Sequence, residues 1–361
     1  MKSMSMLLVL LGAFVTTVVL SQAPPPAAPR SGPSLKAAQD PREADLLNTC
    51  KTPPPARGGG FGGGGKGKGG PGKGGAPAAT DAKEYKVTGI PGVVAADAQW
   101  KEVWQVDGNN ADGIIGTEDG GVLIAQNDNG AVVKLDKNGK ASVAYSDTNT
   151  GGSVAMNSKG ALFVANRGFK QSIEQLAPRR KILADTINGD PLDCLGAAAG
   201  LNDLVADSKG GVYFTAGGVF YADPKGVITR YGMNLNTNGI VLGADEKHLF
   251  VTNGATLAEF DVEKDGSLTN QREFAKWDMG GGDGTTFDTA GRFYVTTNAG
   301  GIKVISPDGK FLGTIPAPHP VLSVTFSGPD RKSLYAVART GDHDWIIALP
   351  MIAQGPKGRA K

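Results

Sequence analysis

Six positions spaced 36 to 50 residues apart carry side chains that could act together: Asp112, Gly152, Asn202, Asn238, Asp283 and Ser323. Each stands ten or eleven residues ahead of a short apolar or aromatic run. Four of the six are Asp or Asn, and both carboxylates are among them. Hard oxygen donors converging from several segments, with positions left for water, are what Ca²⁺, Mg²⁺ or Mn²⁺ requires, and two carboxylates balance a divalent charge. Singly, each residue has a structural explanation, because Asp and Asn begin strands and cap turns, and Asn238-Gly239 is a common turn dipeptide. The shared register is what argues for a site.

That register needs a repeated element to hold it. The runs are VLIA at Val122, LFVA at Leu162, VYFT at Val212, LFVT at Leu249, FYVT at Phe293 and LYAV at Leu334, at intervals of 37 to 50 residues. A polar turn precedes each: TEDGG, NSKG, DSKGG, ADEKH, DTAGR and GPDRKS. In NTNGIVLGADEKHLFVTN, from Asn236, the unit reads as two short strands around such a turn. A third strand follows in most units, as at 131–135, 219–222, 257–260 and 302–305, and then a turn into a fourth. Four strands per unit and six units predict an all-β fold, a six-bladed β-propeller. The last unit is one strand short, and residues 100–106 alternate in a way that completes it and closes the ring. In a propeller the first strand of each blade lines the channel, so the six positions point at the axis. Residues 171–182 have apolar side chains at roughly helical spacing, interrupted by Pro178.

The overall charge excludes little, with 37 basic against 35 acidic side chains. Its distribution says more: nine basic and three acidic residues precede position 80, leaving the remainder near −4 in a chain of net +2. A basic tail before a mildly acidic domain speaks against nucleic-acid binding and suits a cation site. Residues 1–23 read as a secretory signal, with Lys2, an apolar run at 6–20 and Ser21-Gln22-Ala23 for cleavage. Pro24 keeps an uncleaved membrane anchor as the alternative. Residues 24–80 are Pro-, Gly- and Lys-rich and read as a disordered tether, 81–355 as the propeller and 356–361 as a flexible tail. The expected location is periplasmic or secreted. Cys50 and Cys194 form no CxxC or Cys/His pattern, and whether they pair is left open.

Other candidates lie in loops. His319, in PAPHPVL, stands just ahead of the last blade's first strand and is expected near the channel mouth as a catalytic or substrate-contacting group. The long interval between the second and third runs holds NGDPLDCLGAAAGLND, leading into Asn202, with Arg167, Asp193 and Cys194 as lining candidates. His248 and His343 are expected at the surface. No GxSxG motif supports a serine hydrolase.

TNGIVLGADEKHLFVTN, LNDLVADSKGGVYFT at Leu201, GGDGTTFDTAGRFYVTTNAGGIKVISPDGK at Gly281 and TFSGPDRKSLYAVAR at Thr325 together resemble the gluconolactonase, senescence marker protein and luciferin-regenerating enzyme family. The resemblance covers residues 100–350 and implies a six-bladed lactonase with one divalent cation in its channel. Ca²⁺ stands first, with Zn²⁺, Mn²⁺ and Mg²⁺ as alternatives. The matching ligands are Asp112, Asn238 and Asp283, with Asn202 nearby. The resemblance departs at Asp112-Gly113-Ile114, where the family usually has Glu-Gly-Pro. It departs again at Gly200, where some sugar lactonases carry Arg, so sugar preference is not carried over. The expectation is an exported metal-dependent hydrolase of small lactones or related esters, with Asp283 as general base, His319 beside it, and Asn202, Ser323 and Arg167 on the substrate. The alternatives are a non-catalytic propeller that binds carbohydrate or protein around a structural metal, and an organophosphate hydrolase on the same site.

Overall fold

A strand packed between two sheets is buried on both faces and needs apolar residues throughout, whereas a strand at the rim does not. The repeated runs follow this rule. In the computed structural model, which describes residues 40–52, 86–195, 200–232 and 234–358, they form the second strands of six four-stranded sheets.

After β1 (Lys101–Asp107), the first blade comprises β2 (Ile114–Gly116), β3 (Val122–Gln126), β4 (Ala131–Leu135) and β5 (Ala141–Tyr145). The second comprises β6 (Gly151–Met156), β7 (Leu162–Asn166), β8 (Ser172–Ala177) and β9 (Lys181–Ala184). A small hairpin, β10 (Thr186–Ile187) and β11 (Asp190–Pro191), leads through a 3₁₀ turn to the third blade. That blade holds β12 (Leu204–Ala206), β13 (Val212–Thr215), β14 (Val219–Ala222) and β15 (Ile228–Tyr231). The fourth holds β16 (Thr237–Leu242), β17 (His248–Asn253), β18 (Thr256–Val262) and β19 (Leu268–Lys276). The fifth holds β20 (Gly282–Phe287), β21 (Phe293–Thr297), β22 (Ile302–Ile305) and β23 (Phe311–Ile315). The sixth has β24 (Val321–Ser327), β25 (Ser333–Thr340) and β26 (His343–Pro350), with β1 as its outer strand. β3 is buried along its whole length, while β5 at the rim is largely exposed.

The core is divided among the seams, one apolar cluster between each pair of neighbouring blades. Tyrosines buried there need partners for their hydroxyls, and the turns supply them. Tyr221 donates to Asp207 Oδ2 at 2.7 Å and Tyr294 to Asp288 Oδ2 at 2.8 Å. The other oxygen of each carboxylate accepts backbone N–H groups of its own turn, from Lys209 and Gly211 at 2.8 Å in one case and from Ala290 and Arg292 in the other. The recurring Asp-x-x-Gly turns are therefore carboxylate-capped, with Gly210 and Gly291 at the positive φ the turn requires.

Closure follows the sequence expectation. β1 runs antiparallel to β26, pairing Lys101 with Ala348 and Val106 with Asp344. Asp344 is buried and accepts the N–H groups of Asn110 and Ala111 at 2.8 and 2.7 Å while pairing with Arg339 at 2.6 Å. Val87, Ile90, Val93 and Val94 fill the seam between blades five and six, so both chain ends add to the ring.

Residues 171–182, for all their roughly helical spacing, form β8 and the start of β9, with Ile173 and Leu176 in the clusters between blades one, two and three and Ile182 exposed. One expectation is corrected: the tether does not run unbroken from 24 to 80. Residues 40–52 lie on the propeller, where a short helix (Glu43–Leu47) precedes a disulfide between Cys50 and Cys194. Asp190 accepts the N–H groups of Lys51 and Thr52, and the Arg42 guanidinium sits 4.3 Å from the centre of the Phe169 ring. This strap is held by a covalent bond and a carboxylate distant in sequence, neither of which local composition reveals. The expected signal and the rest of the tether lie outside the described residues.

Candidate functional site

All six positions of the shared register line one narrow axial cavity, together with Arg167 and Asp203. β-Bulges do the aiming. The ladder shifts register between Gly151 and Ser153, Thr237 and Ile240, and Gly282 and Thr285, which brackets the channel residue in three blades, and between Val321 and Ser323, which ends on it in the sixth. A bulge turns one side chain out of the alternating pattern, here toward the axis.

The glycine after the channel residue has a different reason from the turn first suggested for Asn238-Gly239. A Cβ on Gly239 would lie 2.1 Å from the Asp283 carbonyl oxygen, one on Gly113 2.6 Å from Ser153 Cα, and one on Gly284 2.7 Å from Ser323 Cα. Neighbouring inner strands crowd round the axis, and only glycine lets the backbones approach. The bulged backbone groups are satisfied by threonines at or next to the ends of the second strands. Thr252 Oγ1 accepts from Gly239 N at 2.7 Å, Thr215 donates to the Asn238 carbonyl at 2.5 Å, and Thr296 donates to the Leu322 carbonyl at 2.9 Å. The recurring final Thr of VYFT, LFVT and FYVT was the sequence signal for this support.

Asp203 is the other residue that sequence reasoning missed. It adjoins Asn202 and is buried, accepting from Ser153 Oγ at 2.5 Å and from the N–H groups of Leu204 and Ile240 at 2.9 and 3.1 Å. It ties blades two, three and four together at the cavity wall.

Arg167 dominates the cavity. It follows β7, and its side chain is only 10% exposed. Nη1 pairs with Asp112 Oδ2 at 2.6 Å, and Nη2 donates to the Asn202 carbonyl and, at 3.2 Å, to Asn202 Oδ1. The space is available because position 152 has no side chain: a Cβ there would lie 2.0 Å from the guanidinium carbon. Asp112 also accepts from Asn127 Nδ2 at 3.0 Å.

The donors suit a hard cation. Asp112, Asn202, Asn238 and Asp283 offer carboxylate and amide oxygens, and the protein's own guanidinium already stands among them as a cation. Beside it there is room for little more than one water-sized particle. Among the described residues no three acidic, histidine or cysteine side chains converge, so any ion here relies on amide oxygens as well.

Three candidates are not brought to the cavity. His319 stacks on Trp345 of β26, ring centres 5.6 Å apart, over the third strand of its blade and away from Asp283. Burial there holds its imidazole below the usual value. The connection from β23 crosses laterally before it reaches β24, which nearness in sequence does not disclose. Asp193 is buried as a scaffold for the insertion, accepting the N–H groups of Lys170 and Gln171 at 3.1 and 2.9 Å, and desolvation raises its pKa. Cys194 is in the disulfide.

A closed six-bladed ring with a polar axial cavity of oxygen donors defines the class. Residues 142–340 match the SMP-30/Gluconolactonase/LRE-like region, more than half of the chain, and the protein belongs to that family. Its relatives include the pentonolactonase XacC of Haloferax volcanii, 31% identical over 158 residues, covering 40% of this chain and 54% of that protein. The gluconolactonase of Zymomonas mobilis is 26% identical over 68% of this chain and 78% of its own. The chain spans about half the length of the first of these relatives. Among solved structures, a gluconolactonase of Xanthomonas campestris superposes with TM-score 0.60 at 20% identity, covering 73% of this chain and 94% of its own. The calcium-binding regucalcin of Agrobacterium tumefaciens gives 0.59 at 15%, covering 72% and 96%. At these identities the structures speak for the fold.

Proposed function

We propose that the protein hydrolyses lactones or related esters at its axial cavity, with a divalent cation, Ca²⁺ first, held by Asp112, Asn238 and Asp283. The observation that carries this reading is the convergence of two carboxylates and two Asn side chains from four blades on one narrow cavity, in a chain of this family. The named activities of the relatives agree with it. The cation would supply Lewis-acid polarisation of the carbonyl. The chain's own groups do the rest. The Asp283 carboxylate takes a proton from the attacking water and returns it to the ring alkoxide as the acyl–oxygen bond breaks. Asn202 and Asn238 orient the substrate oxygens, and Ser323 and Arg167 line the wall that the substrate meets. His319 is not among the residues that line the cavity, and its ring lies on Trp345.

Export to the periplasm or beyond belongs to the same proposal. Residues 1–23 support it, and so does the disulfide, a bond that persists in oxidising compartments. A binding role without catalysis is the second reading, favoured by the Arg167 guanidinium across the cavity.

The decisive experiment strips the full chain with chelator, reloads it with Ca²⁺, Mn²⁺ or Zn²⁺, and follows acid release from a panel of aliphatic, aromatic and sugar lactones. Turnover that requires a cation supports the enzyme. Absence of turnover with every cation sinks it and leaves the binding role.

A further inference from the structure

The Arg167 guanidinium stands where the oxygen donors converge. It is fixed to Asp112 and Asn202, two of the side chains that face the cavity. The position is built for it, because Gly152 is the only one of the six channel positions without a side chain, and the guanidinium lies in the space so left. Yet it is incompletely satisfied there: Nε is buried with no hydrogen-bond partner among the described residues. A group that was only a structural pin would be expected to have all its donors paired.

The electrostatics are competitive. Asp112 and Asp283 both face the cavity, and the guanidinium pairs with Asp112. A divalent ion would offset both, but with the guanidinium still on Asp112 it would meet a like charge across a narrow, partly desolvated space. The Asp112 oxygen bonded to Nη1 cannot serve the ion fully at the same time.

We propose that Arg167 is a tethered counter-cation that competes with the divalent ion for Asp112. It holds the carboxylates together when the ion is absent, and it must leave Asp112 when the ion binds, which sets the affinity low and makes it tunable. This inference rests on reading the cavity as a cation site.

The test uses the full chain after chelation, with Ca²⁺ and Mn²⁺ binding measured by calorimetry and thermal unfolding followed with and without each ion. Arg167→Gln removes the charge. Gly152→Ala leaves the charge in the chain but drives the guanidinium from its place. Both variants are expected to bind Ca²⁺ at least about tenfold more tightly than the parent protein. Metal-free Arg167→Gln should melt below the metal-free parent and gain more from the ion. Arg167→Lys, which keeps the charge without the planar fork, should fall between. If Arg167→Gln does not fold, Gly152→Ala carries the comparison. Equal or weaker Ca²⁺ binding by the variants, with clear binding by the parent, overturns the competition while leaving the cation site standing. Failure of the parent and every variant to bind either ion overturns the cation site itself and the inference with it.

Discussion

Blades four and two treat the same position in opposite ways. At the bulge of β16, blade four turns Asn238 to the axis, and the following glycine is pressed against the Asp283 backbone of the next blade. At the bulge of β6, blade two offers only Gly152, and the space is filled by Arg167 from the end of the adjacent strand. One blade is constrained by main chain, which cannot yield, and the other by the tip of a long side chain, which can. The ring thus has rigid donors on one side and an adjustable cation on the other.

The largest effect is expected at the rigid side. Asp283→Asn should lower lactone hydrolysis by at least about 10²-fold while leaving the melting temperature within a few degrees, as for loss of a general base. Retained kcat/KM in that variant would show that Asp283 is not the base.

A pair of glycine substitutions sharpens the contrast directly. Gly239→Ala places a Cβ 2.1 Å from a carbonyl oxygen, and urea denaturation should show a loss of about 2–3 kcal/mol, in the range of overpacking. Gly152→Ala has its closest contacts with the Arg167 guanidinium and should cost less than about 1 kcal/mol. Equal losses would mean that Arg167 is as immovable as the backbone.

The strap is a third, looser region. No residue of 40–52 belongs to the six apolar clusters. Replacing Cys50 and Cys194 together by Ser should open Arg42 and Lys51 to trypsin under native conditions. The blades themselves should stay folded, since none of their apolar clusters includes the strap. Cooperative unfolding of the blades on reduction would show that the strap is part of the core.

The smallest effect concerns His319. Burial lowers its pKa from the ordinary 6.5, so the folded state binds that proton less readily than the unfolded chain. Its contribution to stability is intact above 6.5 and is lost as pH falls through the lowered folded value. His319→Gln should therefore reduce, by about one degree, the fall in melting temperature between pH 7.5 and 5. An unchanged pH profile would show that the imidazole is free to protonate in the folded state.

The blades were legible because each is a local matter. Alternation, carboxylate-capped turns and continuous apolar runs recur within about 45 residues, and counting back from VLIA, VYFT or LFVT reaches a residue that does line the cavity. The supporting shell was harder to read. The final threonines repeat in the sequence, yet only the bulges explain why a hydroxyl is needed there. Nothing in the sequence marks Asp203 apart from its neighbour Asn202, and the nearness of His319 to the last blade's first strand carries no lateral direction. Asp193 and Cys194, expected to line the cavity, serve the insertion and the strap instead.

By itself the sequence determined the number of blades, their strand order, the closing strand and the six residues that face the axis, since these depend on periodicities within each repeat. Only the tertiary structure decided which charges meet. Asp112 and Arg167 are 55 residues apart on different blades, and no local pattern relates them. Their pairing exists because ring closure brings neighbouring inner strands close enough for a missing side chain in one to admit a guanidinium from beside it.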